Sequence, residues 1–166
     1  IEGFSFNHMS GIGWYGDLGN LQIMPIVGKT DLRSGSNEEI PFLKGTDGWK
    51  SPFSHENEKA LSGYYSVKLD KYDIFAEATV SAHAGFLRFT YPKTNENGVI
   101  FNFSRRIAGH ADFESVKIVN PSKIEGHIHC TPKGGGFGRG GGNIAYELYF
   151  ALELSKISVA GITVID

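Results

Sequence analysis

The 166-residue sequence predicts an all-β chain folded as an antiparallel β-sandwich. Three observations predict it. Apolar and polar residues alternate over short runs, the period of a strand with one face buried. No window of about twelve residues keeps apolar side chains at the i, i+3, i+4, i+7 spacing of a helix, and glycine interrupts most candidates. Turn-forming clusters separate the runs at short intervals, which suits antiparallel neighbours better than the long crossovers of a parallel sheet.

Residues 20–27 (NLQIMPIV) form an apolar run closed by Gly28, and Pro25 marks it as an edge strand or a strand end. Residues 63–70 alternate Tyr65, Val67 and Leu69 against Tyr64, Ser66 and Lys68. Residues 73–82 alternate Ile74, Ala76, Ala78, Val80 and Ala82 against Phe75, Glu77, Thr79 and Ser81. The compact polar connection Asp70-Lys71-Tyr72-Asp73 joins these two runs as a hairpin. Residues 85–91 and 99–103 flank the turn-rich PKTNENG and predict a second hairpin. Residues 113–119, 123–131, 143–154 and 158–164 complete eight or nine strands. Residues 29–50 read as a long polar loop with a functional or partner-covered role, and 133–143 (KGGGFGRGGGN) as a glycine-rich loop.

Composition narrows the function. Sixteen basic against 18 acidic residues gives a net charge of −2, which provides no electrostatic reason for nucleic acid or an anionic membrane as partner. No apolar run reaches the ~18–20 residues of a membrane span. Cys130 is the single cysteine, so neither an intramolecular disulfide nor a cysteine zinc cluster is expected. The sequence starts at Ile1, not Met, and shows no signal peptide, so it is expected to be either processed or cut from a longer chain. Glycine supplies 22 residues, nearly twice the ~7% average. The run at 133–143 lacks the strand, helix and Lys-Ser/Thr pair of a phosphate cradle, so nucleotide binding is not expected.

Three constellations could carry chemistry. His127 and His129, two apart on a strand, project to one face with a spacing that can ligate a metal, or they are simply polar positions on a solvated face. Ser54-His55-Glu56-Asn57-Glu58-Lys59 gathers a hydroxyl, an imidazole and carboxylates. It reads as a locally bonded loop, as a substrate contact, or as catalytic residues, although adjacency in sequence is not triad geometry. The stretch His8-Met9-Ser10-Gly11-Ile12-Gly13-Trp14-Tyr15-Gly16-Asp17-Leu18-Gly19 interleaves small residues with polar donors and two aromatics. Its glycines permit close backbone approach, and an aromatic face beside His, Ser and Asp suits a pyranose. A twisted connection with buried aromatics is the competing reading of that stretch.

In chain order these segments resemble glycoside hydrolase family 92. The start, Ile1-Glu2-Gly3-Phe4-Ser5 through His8-Met9-Ser10-Gly11, Gly13, Gly16-Asp17 and Met24-Pro25, is similar to the family's opening. Ser54-His55-Glu56-Asn57-Glu58-Lys59-Ala60 followed by Gly63-Tyr64-Tyr65-Ser66-Val67 resembles its second signature, with Leu61-Ser62 in place of a small residue and proline. Gly85-Phe86, Arg88-Phe89 and Pro92 resemble the next strand pair. Tyr149-Phe150-Ala151 with Glu153, Ser155 and Lys156 resembles a later element, with Leu154 at a phenylalanine position.

The resemblance implies a galactose-mutarotase-like supersandwich, here as a single domain over residues 1–166. That domain would be the N-terminal part of a longer two-domain bacterial enzyme whose C-terminal (α/α)-barrel is absent from this chain. It implies a calcium-dependent, inverting exo-α-mannosidase acting on mannose-containing glycans, including N-glycans, in the periplasm, on the cell surface or secreted. The acid, the base and the calcium ligands would belong to the barrel, so no catalytic residue and no metal ligand is expected here, and the chain alone would be inactive. Its contribution would be one wall of the sugar pocket, formed by Trp14 with His8, Ser10, Gly11, Gly13 and Asp17. His55, Glu56 and Glu58 are further substrate or interface residues. A free-standing, lectin-like sandwich is the alternative.

Overall fold

A computed structural model describes residues 1–7, 18–29, 48–106, 109–131 and 145–155. Among them are eleven strands and one short 3-10 turn, His55–Asn57. Every strand pairing with a defined register is antiparallel, so the predicted all-β antiparallel class holds. The chain divides into two compact units, one comprising Ile1–Phe4 and Ile23–Phe101, the other Ser5–Gln22 and Asn102–Asp166.

In the first unit, β1 (Gln22–Val27) pairs with β6 (Asn97–Asn102). A four-stranded sheet has the order β2 (Glu58–Leu61), β3 (Tyr64–Leu69), β4 (Ile74–Val80) and β5 (Gly85–Thr90). The alternation read from residues 63–70 and 73–82 sets which face is buried. Val67, Leu69, Ile74 and Ala76 are fully buried, and they pack with Met24 of β1, Trp49 and Tyr72 into one core. Burying aliphatic side chains of this size contributes about 1.5–3 kcal/mol each. The first predicted hairpin is present, with Leu69 opposite Ile74 and the left-handed Asp73 (φ 53°) closing the turn. Tyr72 of that polar connection is itself core, its hydroxyl donating to the Trp49 carbonyl at 2.9 Å.

The second predicted hairpin is corrected. β5 pairs with β4, and β6 pairs with β1 instead of β5. The intervening residues carry the chain from one sheet to the other, pinned by the Tyr91 hydroxyl donating to the Gly98 carbonyl (2.8 Å) and the Gly28 amide donating to the Glu96 carbonyl (2.9 Å). Pro25 fits an edge strand: among the described residues β1 pairs with β6 and otherwise meets only an isolated bridge, Phe4 with Ile23. Strand β2 falls where only a polar signature was read, and Trp49, near the end of the expected 29–50 loop, is buried with its indole N–H donating to the Glu2 carbonyl (2.9 Å).

In the second unit, β9 (Phe113–Asn120), β10 (Lys123–Cys130) and β11 (Tyr146–Glu153) form a sheet with β10 central. The short strands β7 (Arg105–Arg106) and β8 (Gly109–His110) pair separately. Ile124, Ile128 and Cys130 bury one face of β10, and His127 and His129 lie on the other. The expected strand at 158–164, nearly all of the 29–50 loop and all of the 133–143 loop lie outside the described residues.

Candidate functional site

Ser54 stands in extended conformation (φ −113°, ψ 138°) and caps the 3-10 turn, its Oγ accepting from the Glu56 amide at 3.2 Å. One turn brings residues three apart together, so the His55 Nδ1 reaches Glu58 Oε2 at 2.5 Å. The other oxygen of Glu58 accepts from the Tyr65 hydroxyl at 2.6 Å. Tyr65 stands on β3 in the file of Val67 and Leu69, two residues behind the strand partner of Glu58. The Phe53 ring meets the imidazole edge-on at 5.2 Å. The structure therefore assembles His55, Glu58 and Tyr65, leaves Glu56 exposed outside the cluster, and adds a tyrosine that sequence reasoning did not nominate.

The electrostatics of the cluster limit its chemistry. Hydrogen bonds from Tyr65 and then His55 hold the Glu58 carboxyl below the usual carboxylate range. Burial, followed by the bond to Glu58, pushes the Tyr65 phenol well above its ordinary value. A carboxylate with both oxygens occupied and a depressed pKa cannot protonate a leaving group near neutral pH. The arrangement suits holding and presenting His55, whose side chain is 86% exposed. A depressed folded-state pKa contributes stability above the ordinary value of 4.5, and that contribution is lost as pH falls through the folded-state pKa. Wild-type urea midpoints are accordingly expected to fall more steeply than those of Glu58→Gln between about pH 5 and pH 3. Parallel curves would mean the bonds to Tyr65 and His55 leave Glu58 unperturbed.

His8, Ser10, Gly11, Gly13, Trp14 and Asp17 lie outside the described residues. Their flanks are described, and they meet: the Gly19 amide donates to the Asn7 carbonyl at 2.8 Å. Asn20, 1% exposed, is the hub. Its Oδ1 accepts from Asn7 Nδ2 (3.1 Å) and the Tyr146 hydroxyl (3.0 Å), and its Nδ2 donates to the Arg105 carbonyl (3.0 Å) and Cys130 Sγ (3.5 Å). Tyr146 also accepts from the Leu18 amide at 3.0 Å, and burial followed by Cys130 pushes its phenol up to about 12. Leu18 (φ 67°) and Leu21 (φ 55°) are held in left-handed backbone, which for a branched side chain persists only where surrounding bonds enforce it. No sequence signal marked Asn20 or Tyr146.

His127 and His129 share a face, as their spacing predicts, but engage different carboxylates. His129 Nδ1 lies 3.0 Å from Asp112 Oδ2, and His127 Nε2 lies 3.5 Å from Glu147 Oε2. Among the described residues no three His, Cys, Asp or Glu side chains group so as to hold a metal ion. A calcium ion takes roughly six to eight oxygen ligands. Neither the Glu58 cluster, with both carboxylate oxygens engaged, nor the two histidines fits one.

The described residues form a strand-built antiparallel chain with an imidazole–carboxylate–phenol cluster and a tightly bonded segment flank. Its match to a family model is specific: residues 1–165 fit the glycosyl hydrolase family 92 N-terminal domain. The chain belongs to that family. Two solved structures of a family GH92 α-mannosidase from Bacteroides thetaiotaomicron, one in complex with mannoimidazole, match with a TM-score of 0.73 and 28% identity over 90% of this chain. A protein of Arthroderma benhamiae described as an uncharacterized secreted glycosidase is 31% identical over 95 residues, 57% of this chain. The chain spans 18% of the solved mannosidase chains and 11% of the fungal protein. No helix among the described residues is long and apolar enough to cross a membrane.

Proposed function

We propose that this chain is the N-terminal domain of a longer, exported, inverting exo-α-mannosidase acting on mannose-containing glycans, N-glycans among them, and that it supplies one wall of the sugar pocket. The observation that supports the reading best is the likeness along nine-tenths of the chain to an α-mannosidase solved with mannoimidazole. Inversion needs a carboxylic acid at the leaving oxygen and a carboxylate that activates water, ~6.5–9.5 Å apart. Glu58, engaged at both oxygens, is suited to neither task. As the family resemblance implies, both groups belong to the remaining chain, an (α/α)-barrel in this reading, and the present chain alone is inactive. Calcium bound by that barrel would supply electrostatic stabilisation at the sugar.

The present chain contributes recognition. Trp14 contacts the departing sugar, His8, Ser10 and Asp17 offer hydrogen bonds, and Gly11 and Gly13 allow close backbone approach. His55 and Glu58 form a second contact or an interface with the barrel, and Glu56 joins them as an exposed carboxylate. In the full-length enzyme, Trp14→Ala is expected to lower kcat/KM on an α-linked mannobiose by roughly 10- to 100-fold, the loss of one buried aromatic contact. Turnover of 4-nitrophenyl α-mannoside, whose leaving group is no sugar, should change less. Equal and small effects on both substrates would sink the assignment of Trp14.

A further inference from the structure

The sheet of β9, β10 and β11 has a second face, opposite the one on which Ile124, Ile128 and Cys130 are buried. On it stand Tyr149, Glu147 and Ala151 of β11, His127, His129 and Glu125 of β10, and Phe113, Ser115 and Lys117 of β9, in register across the three strands. Tyr149 is opposite His127, and their rings stack at 4.4 Å with 8° between planes. Phe113 continues the file on the other side, its ring 5.9 Å from His127 and tilted by 57°. The Tyr149 hydroxyl donates to Glu147 Oε2 at 2.8 Å, and this bond keeps the phenol protonated by raising its pKa.

The ring is thus fixed at both ends, by the imidazole on one face and the carboxylate at its tip. It is nonetheless 70% exposed, and Phe113 is 53% exposed. Ordinarily a solvent-facing tyrosine swings between rotamers; this one is held ready, which removes most of the entropy that binding would otherwise cost. The surroundings are polar: Glu147 and Asp112 are half exposed, and the His127 Nε2 is buried without a hydrogen-bond partner.

That combination decides between occupants. The core of a protein interface is depleted of charge, because each buried carboxylate must be desolvated. A pyranose has the opposite requirement. Its C–H face packs on an aromatic ring while its hydroxyls seek carboxylates and imidazoles at the rim.

We propose that the Tyr149–His127–Phe113 face is a second glycan-binding site, with Tyr149 as the stacking ring and Glu147 accepting from sugar hydroxyls. It takes a neutral mannose-containing oligosaccharide, a ligand class that rests on the function proposed above. The site anchors a long glycan, so that the enzyme stays on a branched or polymeric substrate between cuts. One-sided contact makes each sugar weak, and the effect is largest on polymers, where several residues engage together.

The test is affinity electrophoresis of the chain through gels cast with and without yeast mannan. Wild type is expected to be retarded by mannan, and Trp14→Ala to lose only the pocket's share of that retardation. Tyr149→Ala should weaken the retardation roughly tenfold in apparent affinity, and Tyr149→Phe, which keeps the ring, should retain most of it. Thermal melts of both variants check folding, and the phenylalanine variant keeps the comparison valid should the alanine variant melt early. Wild type that runs unretarded, or Tyr149→Ala that runs as wild type, overturns the site. An unretarded wild type would leave the face to protein docking and leave the pocket reading untouched, since that stands or falls on the Trp14 kinetics. Loss of retardation in Trp14→Ala alone would place all mannan binding in the pocket and equally overturn the second site.

Discussion

Asn20→Ala is expected to destabilise the chain by roughly 2–4 kcal/mol, read as a lower urea midpoint. The side chain is buried and uses both ends of its amide, accepting from Asn7 and Tyr146 and donating to the Arg105 carbonyl and Cys130. Alanine removes the acceptor that Asn7 and Tyr146 share and leaves a void. The loss is larger than that of any single bond, because several polar groups lose a common partner at once. Tyr146→Phe is the informative comparison. It removes one donor to Asn20 and one acceptor for the Leu18 amide, so it should cost less, about 1–2 kcal/mol. An Asn20→Ala chain within 0.5 kcal/mol of wild type, roughly the scatter of harmless surface changes, would show that the network contributes nothing to stability.

Gly126→Ala should cost about 2–3 kcal/mol, as overpacking does. A Cβ at this position would lie 2.2 Å from Phe150 Cζ and 2.8 Å from the Ser115 carbonyl oxygen. Gly126 lies opposite Phe150 in the β10–β11 register, and the ring crosses the space over it to stack on Phe103 at 5.4 Å with 14° between planes. The ring could swing away only by giving up that stack, and the carbonyl is backbone of the neighbouring strand. Thermal melting measures the cost. In a double variant, Phe150→Leu should absorb part of it, giving a penalty below the sum of the two single changes. Full additivity would mean that Phe150 is not what the new methyl group strikes.

The residues that declared themselves in the sequence were those whose role is periodic. Val67, Leu69, Ile74 and Ala76 alternate with polar neighbours, and a period of two has only one structural outcome once one face is buried. Partner choice was less legible. Residues 85–91 and 99–103 look like a hairpin because neighbours in sequence usually pair, but pairing is decided by packing, and Ile100 of β6 joins the core from the β1 ribbon. Of the site, His55 and Glu58 were visible as a polar cluster and do meet. Tyr65 is legible as a member of an alternating strand and of the second signature, but not as a partner of Glu58, because its hydroxyl reaches Glu58 across a strand pairing that no local pattern announces. Asn20 left no mark at all: its partners Tyr146, Cys130 and Arg105 come from 85 or more residues away, and a lone asparagine beside a glycine resembles any turn.

The division of the chain has a consequence for how it is made. Residues 5–22 belong to one unit, yet the rest of that unit begins only at Asn102, after the other unit has been spelled out. During synthesis the Asn20 segment therefore emerges early and waits, without Arg105, Cys130 and Tyr146, while about 80 residues of the neighbouring unit follow. At roughly 5–20 residues per second that interval lasts seconds, long compared with the closure of a hairpin such as β3–β4. The order of birth thus sets an order of folding, the interrupting unit first and the interrupted one last. A ribosome stalled before Asn102 would hold a chain whose second unit has only its first strip.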